Sequence, residues 1–189
     1  MRSVVLACTA CSLALVAGAC GDSSPAVIDA QPGGDPGECL IAGDYGAVGS
    51  KTGAADSTGT PNSITITLAA APPPDDLFLS LAAKGALAGG IAPGTYPITG
   101  ADASFNTCGL CVTILAHIDE TMGPAKFFSA DSGTVTISTV TPTAQSTPSE
   151  ISGSAQDLHF VEVNIGTDGS STPVAGGCTT RIGSITFGD

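Results

Sequence analysis

Tryptophan is absent from this chain, tyrosine and histidine occur twice each, and lysine plus arginine number five. Each scarcity removes a class of function. Lys51, Lys84, Lys126 and Arg181 stand singly, whereas a nucleic-acid footprint needs clustered cations to neutralise phosphates; no nucleic-acid partner is expected. The formal net charge is −12 with the acids dispersed, which reads as solubility and repulsion from anionic surfaces. Without tryptophan, stacking on sugar faces is a weak option. The nucleophile elbow G-x-S-x-G is missing too. A Ser–His–Asp site would therefore depend on His117 or His159 meeting a serine and a carboxylate in space.

Helical periodicity is also missing: no segment carries a 3.6-residue apolar stripe over ten residues. Alternation of period two is there instead. Ile64–Leu68 and Val135–Val140 alternate strictly, and 77–81, 111–115, 158–163 and 181–187 are short runs of β-branched and aromatic residues. Turn signals separate them: Pro72-Pro73-Pro74-Asp75, Gly89-Gly90, Pro93-Gly94, Asp131-Ser132-Gly133 and Asp168-Gly169. The expected fold is all-β, an antiparallel β-sandwich, with a closed β-barrel as the alternative. Alternation sends Ile64, Ile66, Leu68, Val135 and Ile137 inward and Thr65 and Thr67 to water. Phe78, Phe105, Phe127, Phe128, Phe160 and Phe187 are the large core candidates, with only one of Phe127 and Phe128 able to point inward from a regular strand.

The first twenty residues, MRSVVLACTACSLALVAGAC, combine a positive Arg2, an apolar run from Val4 to Ala17 and a small-residue Ala17-Gly18-Ala19 site. This is the pattern of an export signal removed on maturation, too short for a comfortable membrane span of roughly 20 apolar residues. Residues 1–19 are read as signal peptide. Residues 20–37 follow, rich in Pro, Gly, Ser and Asp and unable to bury enough surface to order themselves. They are read as a tether. Residues 38–189 make a single β-domain.

Leu15-Val16-Ala17-Gly18-Ala19-Cys20 resembles the lipobox of bacterial lipoproteins. The resemblance implies that Cys20 is the lipidation site and mature N-terminus, and that its acyl chains hold the protein at a membrane. Gly21 is not the Asp that retains such proteins at the inner membrane, which implies the outer membrane. The alternative is cleavage at the same bond without lipidation, giving a secreted or periplasmic protein. The order of tether, Cys39, Pro93-Gly94-Thr95-Tyr96, Cys108-Gly109-Leu110-Cys111, Phe127-Phe128, Ser132-Gly133-Thr134-Val135, Glu162-Val163 and Gly177-Cys178 is similar to exported bacterial lipoproteins. No activity comes with that likeness, so no functional residue is carried over.

Of seven cysteines, Cys8 and Cys11 leave with the signal. Acylation of Cys20 then leaves Cys39, Cys108, Cys111 and Cys178 as two disulfides in an oxidising compartment. A fully extended C-x-x-C holds its thiols about 10 Å apart, too far to bond. If Gly109 turns the chain, Cys108–Cys111 closes locally and Cys39–Cys178 joins the domain's first and last segments, a closure of roughly 140 residues adding about 4–5 kcal/mol in the loop-entropy model. If the motif is extended, each of its cysteines pairs with Cys39 or Cys178 instead. Thioredoxin-like chemistry would need a helix after the motif, and CVTILAHID reads as strand. Zinc would need two further ligands. No metal and no cofactor are expected; calcium at the loop carboxylates Asp75-Asp76 or Asp119-Glu120 is the reading set against solvated turns.

Two look-alike motifs fail on chemistry. Gly43–Thr52 has Ser50 where a phosphate loop needs glycine before the lysine. Lys51-Thr52-Gly53 lacks the S-x-x-K and S-D-N partners of penicillin-recognising enzymes. The expected function is therefore a non-enzymatic, membrane-anchored β-domain that binds an envelope protein or ligand, or builds envelope structure, with loops 141–150 and 166–176 as contact candidates. The alternative is a hydrolase using His117 or His159 in a concave pocket.

Overall fold

The computed structural model describes residues 39–51, 55–56, 62–68, 73–141, 150–168 and 170–188. The segment read as signal, the candidate lipidation site Cys20, the segment read as tether, Thr52-Gly53 and residues 142–149 lie outside the described residues.

Among the described residues ten strands form: β1 Ala47–Lys51, β2 Ala55–Asp56, β3 Asn62–Thr67, β4 Asp76–Leu81, β5 Gly94–Pro97, β6 Leu110–Asp119, β7 Gly123–Thr141, β8 Glu150–Ile165, β9 Ser171–Pro173 and β10 Thr179–Phe187. Short 3-10 turns at Gly85–Leu87 and Gly100–Ala103 are the helical pieces among the described residues. The fold is all-β, as the alternation predicts. The strands join one sheet in the order β1-β10-β8-β7-β6-β4-β3-β2, with β5 on β7 and β9 on β8, and that sheet curls into a half-barrel. One continuous sheet thus takes the place of two stacked ones. It is mixed rather than wholly antiparallel, because β1 runs parallel to β10.

Curling puts the inward parity of each strand into a common core. Ile64, Ile66, Leu77, Leu79, Val112, Ile114, Phe128, Phe160, Ile182 and Phe187 are all buried there. Val135 and Ile137 point inward and Thr67 outward, as alternation requires, while Leu68 is half-buried against the core. Phe128, Phe160 and Phe187 are the fully buried rings. Phe127 takes the opposite face, as the dipeptide demands. Phe78 and Phe105 are corrections to the expected core: both are only half-buried, Phe78 because its neighbours Leu77 and Leu79 take the inward parity of β4.

The Asp131-Ser132-Gly133 turn signal is a second correction, since it lies inside the 19-residue β7. On β7 the ladder runs Ala130↔Phe160, then Ser132↔His159, then Thr134↔Gln156. Asp131 is an extra residue on β7, and β8 answers with its own extra residue near Asp157, which stands at φ 52°. The paired bulges flip parity on both strands: Phe128 and Ala130 give way to Val135 and Ile137, Phe160 and Leu158 to Ala155 and Ile151. A crease therefore crosses the sheet. Gly133 sits in it at φ 129°, where an added Cβ would lie 2.8 Å from the Leu158 side chain and 3.0 Å from the Asp157 carbonyl. Only glycine satisfies both the dihedral and the close approach.

Candidate functional site

Covalent closure comes first. Cys39 and Cys178 are disulfide-bonded with Cα atoms 5.6 Å apart, and Cys108 and Cys111 likewise at 5.2 Å. The turned form of the C-x-x-C is the one adopted. Gly109 permits it, because an added Cβ there would lie 1.6 Å from the Lys84 carbonyl oxygen. Asp102, buried in the preceding 3-10 turn, then accepts N–H groups from Gly109 at 2.7 Å, Leu110 at 3.0 Å and Ala86 at 2.8 Å. A single carboxylate pins the C-x-x-C turn and the 85–87 turn together.

A second polar cluster stands beside the Cys39–Cys178 bridge. Lys126, two residues before Phe128, and Glu162, two after Phe160, share the inward parity of their strands. They form an ion pair of 3.2 Å with side chains 9% and 13% exposed. Glu162 also accepts the Cys178 backbone N–H at 2.9 Å, and the Lys126 Nζ lies 4.0 Å from the Cys178 sulfur.

The two histidines part company. His117 is exposed near the end of β6 at φ 54°, and its backbone N–H donates to the Asp75 carboxylate at 2.8 Å. Asp75 also accepts the Tyr45 hydroxyl. Burial, followed by the hydrogen bond and charge of Asp75, pushes that hydroxyl far above its ordinary value near 10. Asp75 and Asp76 diverge: Asp75 turns inward to Tyr45, while one oxygen of Asp76 is buried with no partner among the described residues. The Asp119 carboxylate accepts from the Thr121 hydroxyl and the Thr121 and Met122 N–H groups, which lower its pKa, the Thr121 hydroxyl most. Among the described residues no three His, Cys, Asp or Glu side chains gather as a metal site.

His159 lies on β8 at the crease. Its Nδ1 is 2.7 Å from the Asp131 Oδ1, and the Ser132 hydroxyl donates to that same oxygen at 3.2 Å. A histidine, a carboxylate and a serine are thus brought together, with Arg181 of β10 as the cross-strand neighbour of His159. A catalytic relay would have the serine hydroxyl on the imidazole at roughly 2.6–3.2 Å. Here Ser132 spends its proton on the carboxylate. An open groove of about 520 Å³ crosses β1, β10 and β8, lined by Val48, Gln156, Ser184, Ile185 and Thr186 among others; neither histidine and no ionisable group lines it.

Sequence reasoning names the cysteines and histidines but misses the Lys126–Glu162 pair and Asp102. The pair is readable in principle, since each residue shares the parity of a core phenylalanine at a spacing of two. Asp102 is not: its partners come from turns whose geometry no periodicity encodes. Comparison with protein-family models, with curated proteins and with solved structures finds no match to this chain.

Proposed function

We propose that this protein is a lipid-anchored extracytoplasmic lipoprotein whose β-domain binds or builds in the envelope and does not catalyse. The observation that carries the reading is the cysteine pairing. Cys39 bonds Cys178 and Cys108 bonds Cys111, so none of the four domain sulfurs is left for Cys20. An odd cysteine beside a lipobox-like segment then has acylation as its use, and stable anchoring follows from two or more chains at roughly 0.8 kcal/mol per buried methylene.

The bridge also gives the domain a tethered end. The 19 steps from Cys20 to Cys39 reach at most about 65 Å when fully extended. The 166–176 segment, which contains β9 and so is not all loop, belongs to that end: it follows β8 and leads into Cys178, and Ser171 is tied to Asn106 by a 2.5 Å hydrogen bond. The other end of the β7–β8 ladder is at Thr141↔Glu150. From Val163 to Ile151 the hairpin runs about 40 Å by strand rise. The Thr141↔Glu150 end of the hairpin is therefore the described end far from Cys39, which favours the 141–150 segment as the candidate for meeting a partner.

The test is fractionation of cells making the full chain or Cys20→Ser. The full chain is expected in the detergent phase of an outer-membrane fraction and the variant in the soluble extracytoplasmic fraction. Identical partitioning of the two would refute the anchor. Replacing 142–149 by a two-residue turn is expected to abolish capture of envelope partners by the anchored protein.

A hydrolase at His159 is the second reading, supported by the 2.7 Å contact with Asp131 and the nearby Ser132. It requires Ser132 to rotate from the carboxylate to the imidazole. Turnover of an activated ester that is lost in both Ser132→Ala and His159→Ala would favour it over the binding role.

A further inference from the structure

The two disulfides differ in what surrounds the sulfur that must leave when the bond is opened. Cys39 is exposed, and its partner Cys178 is half-buried beside Lys126. A lysine ammonium has three protons. Two are met by the Glu162 oxygens, at 3.2 and 3.3 Å, and a third is available to the Cys178 sulfur at 4.0 Å. A cation held against a leaving sulfur in a poorly solvated site favours the thiolate, and a lower leaving-group pKa makes thiol–disulfide exchange faster. Glu162 acts against this through its own charge, so the balance depends on Lys126.

The C-x-x-C disulfide has the opposite setting. Cys108 is 1% exposed, and the Gly109 and Leu110 N–H groups that would face a thiolate are already bound to the Asp102 carboxylate. Attack at Cys108 meets a hidden sulfur, and attack at the half-buried Cys111 would leave the thiolate on buried Cys108, whose neighbouring N–H groups are committed to the Asp102 carboxylate.

We propose that Cys39–Cys178 is the exchangeable disulfide of this protein, opened at Cys39 by an external thiol. The attacking thiolate bonds to the Cys39 sulfur, the Cys39–Cys178 bond breaks, and its electron pair leaves on the Cys178 sulfur beside Lys126. Cys39 then carries a mixed disulfide. If the reagent is a dithiol, its second thiolate attacks that mixed disulfide, releases Cys39 as thiolate and leaves the reagent oxidised. Cys39 is thus a site of covalent capture by a dithiol protein or a small thiol at the end of the domain nearest the tether, and this holds whether or not Cys20 is acylated.

The experiment treats the native full chain with dithiothreitol, quenches by alkylation at intervals and maps the labelled peptides by mass. Cys39 and Cys178 are expected to label together well before Cys108 and Cys111. Lys126→Met is expected to slow that opening about fivefold, with Lys126→Arg restoring it and Glu162→Gln accelerating it. The Cys108–Cys111 rate is the internal control, because general loosening of the fold would speed both bonds. Earlier labelling of Cys108 and Cys111, or a Lys126→Met rate equal to or above the parent's, overturns the proposal. Should Lys126→Met not fold, Glu162→Gln decides: selective acceleration of Cys39–Cys178 supports the proposal, and an unchanged or general effect overturns it.

Discussion

Asp75 carries two obligations at once, since its carboxylate accepts the Tyr45 hydroxyl and the His117 backbone N–H. Tyr45 therefore keeps its proton in the folded state at pH values where the unfolded chain, with its ordinary value near 10, releases it. A raised folded pKa contributes stability that is fully present below pH 10 and lost as pH rises above it. Tyr45→Phe should cost about 1–3 kcal/mol at pH 7 yet show a flatter decline between pH 9 and 11. Urea unfolding at those pH values checks both; parallel declines in parent and variant would argue against the pairing. His117, at φ 54°, pays a left-handed penalty of about 1–2 kcal/mol, against roughly 0.5–1 kcal/mol of extra backbone entropy lost by glycine. His117→Gly is expected to be neutral to stabilising by about 1 kcal/mol in the same assay. A loss above that would mean the imidazole makes contacts that matter.

At the scale of elements, the crease and the capped turn bear the most. Gly133→Ala meets both a dihedral that L-residues rarely adopt and a side chain at 2.8 Å, so a loss of about 2–5 kcal/mol is expected in thermal or denaturant unfolding. Asp102→Ala leaves three N–H groups without their acceptor and is expected to cost about 3–5 kcal/mol. Asp102→Asn keeps one oxygen for Gly109 and Leu110 and should cost about 1–3 kcal/mol. Equal losses for the two would show that packing, not hydrogen bonding, decides. These elements also mark where the sequence stops being readable. Ile64, Ile66, Val135 and Ile137 announce their strands because period-two alternation is a local property. Asp131-Ser132-Gly133 looks like a turn because bulge and turn draw on the same residues, and only the matching bulge near Asp157, 26 residues away, shows which it is. The same limit hid the His159–Asp131 contact: histidine and carboxylate were visible as types, but their meeting depends on that register.

For the whole molecule, the curl of one sheet explains why a two-layer architecture is the natural first reading: its alternating strands do bury one face, and they bury it against the far side of the same sheet. The Cys39–Cys178 bond, spanning 139 residues, fastens the first described segment to the last strand. Cys39→Ser with Cys178→Ser is expected to lower stability by about 4–5 kcal/mol in the loop-entropy model, while the single local loop of Cys108–Cys111 contributes much less. Guanidinium unfolding of the two double variants checks the ranking; a larger loss at Cys108–Cys111 would reverse it.

We propose that every cysteine beyond residue 19 is spent, four in two bridges and one on lipid. Intact mass spectrometry of the protein extracted from native membranes tests it in one spectrum. The predicted mass begins at Cys20, carries acyl chains, and rises by four hydrogens on reduction. A chain that retains Met1, or one that begins at Cys20 without lipid and takes up alkylating reagent at the domain cysteines before reduction, would contradict it.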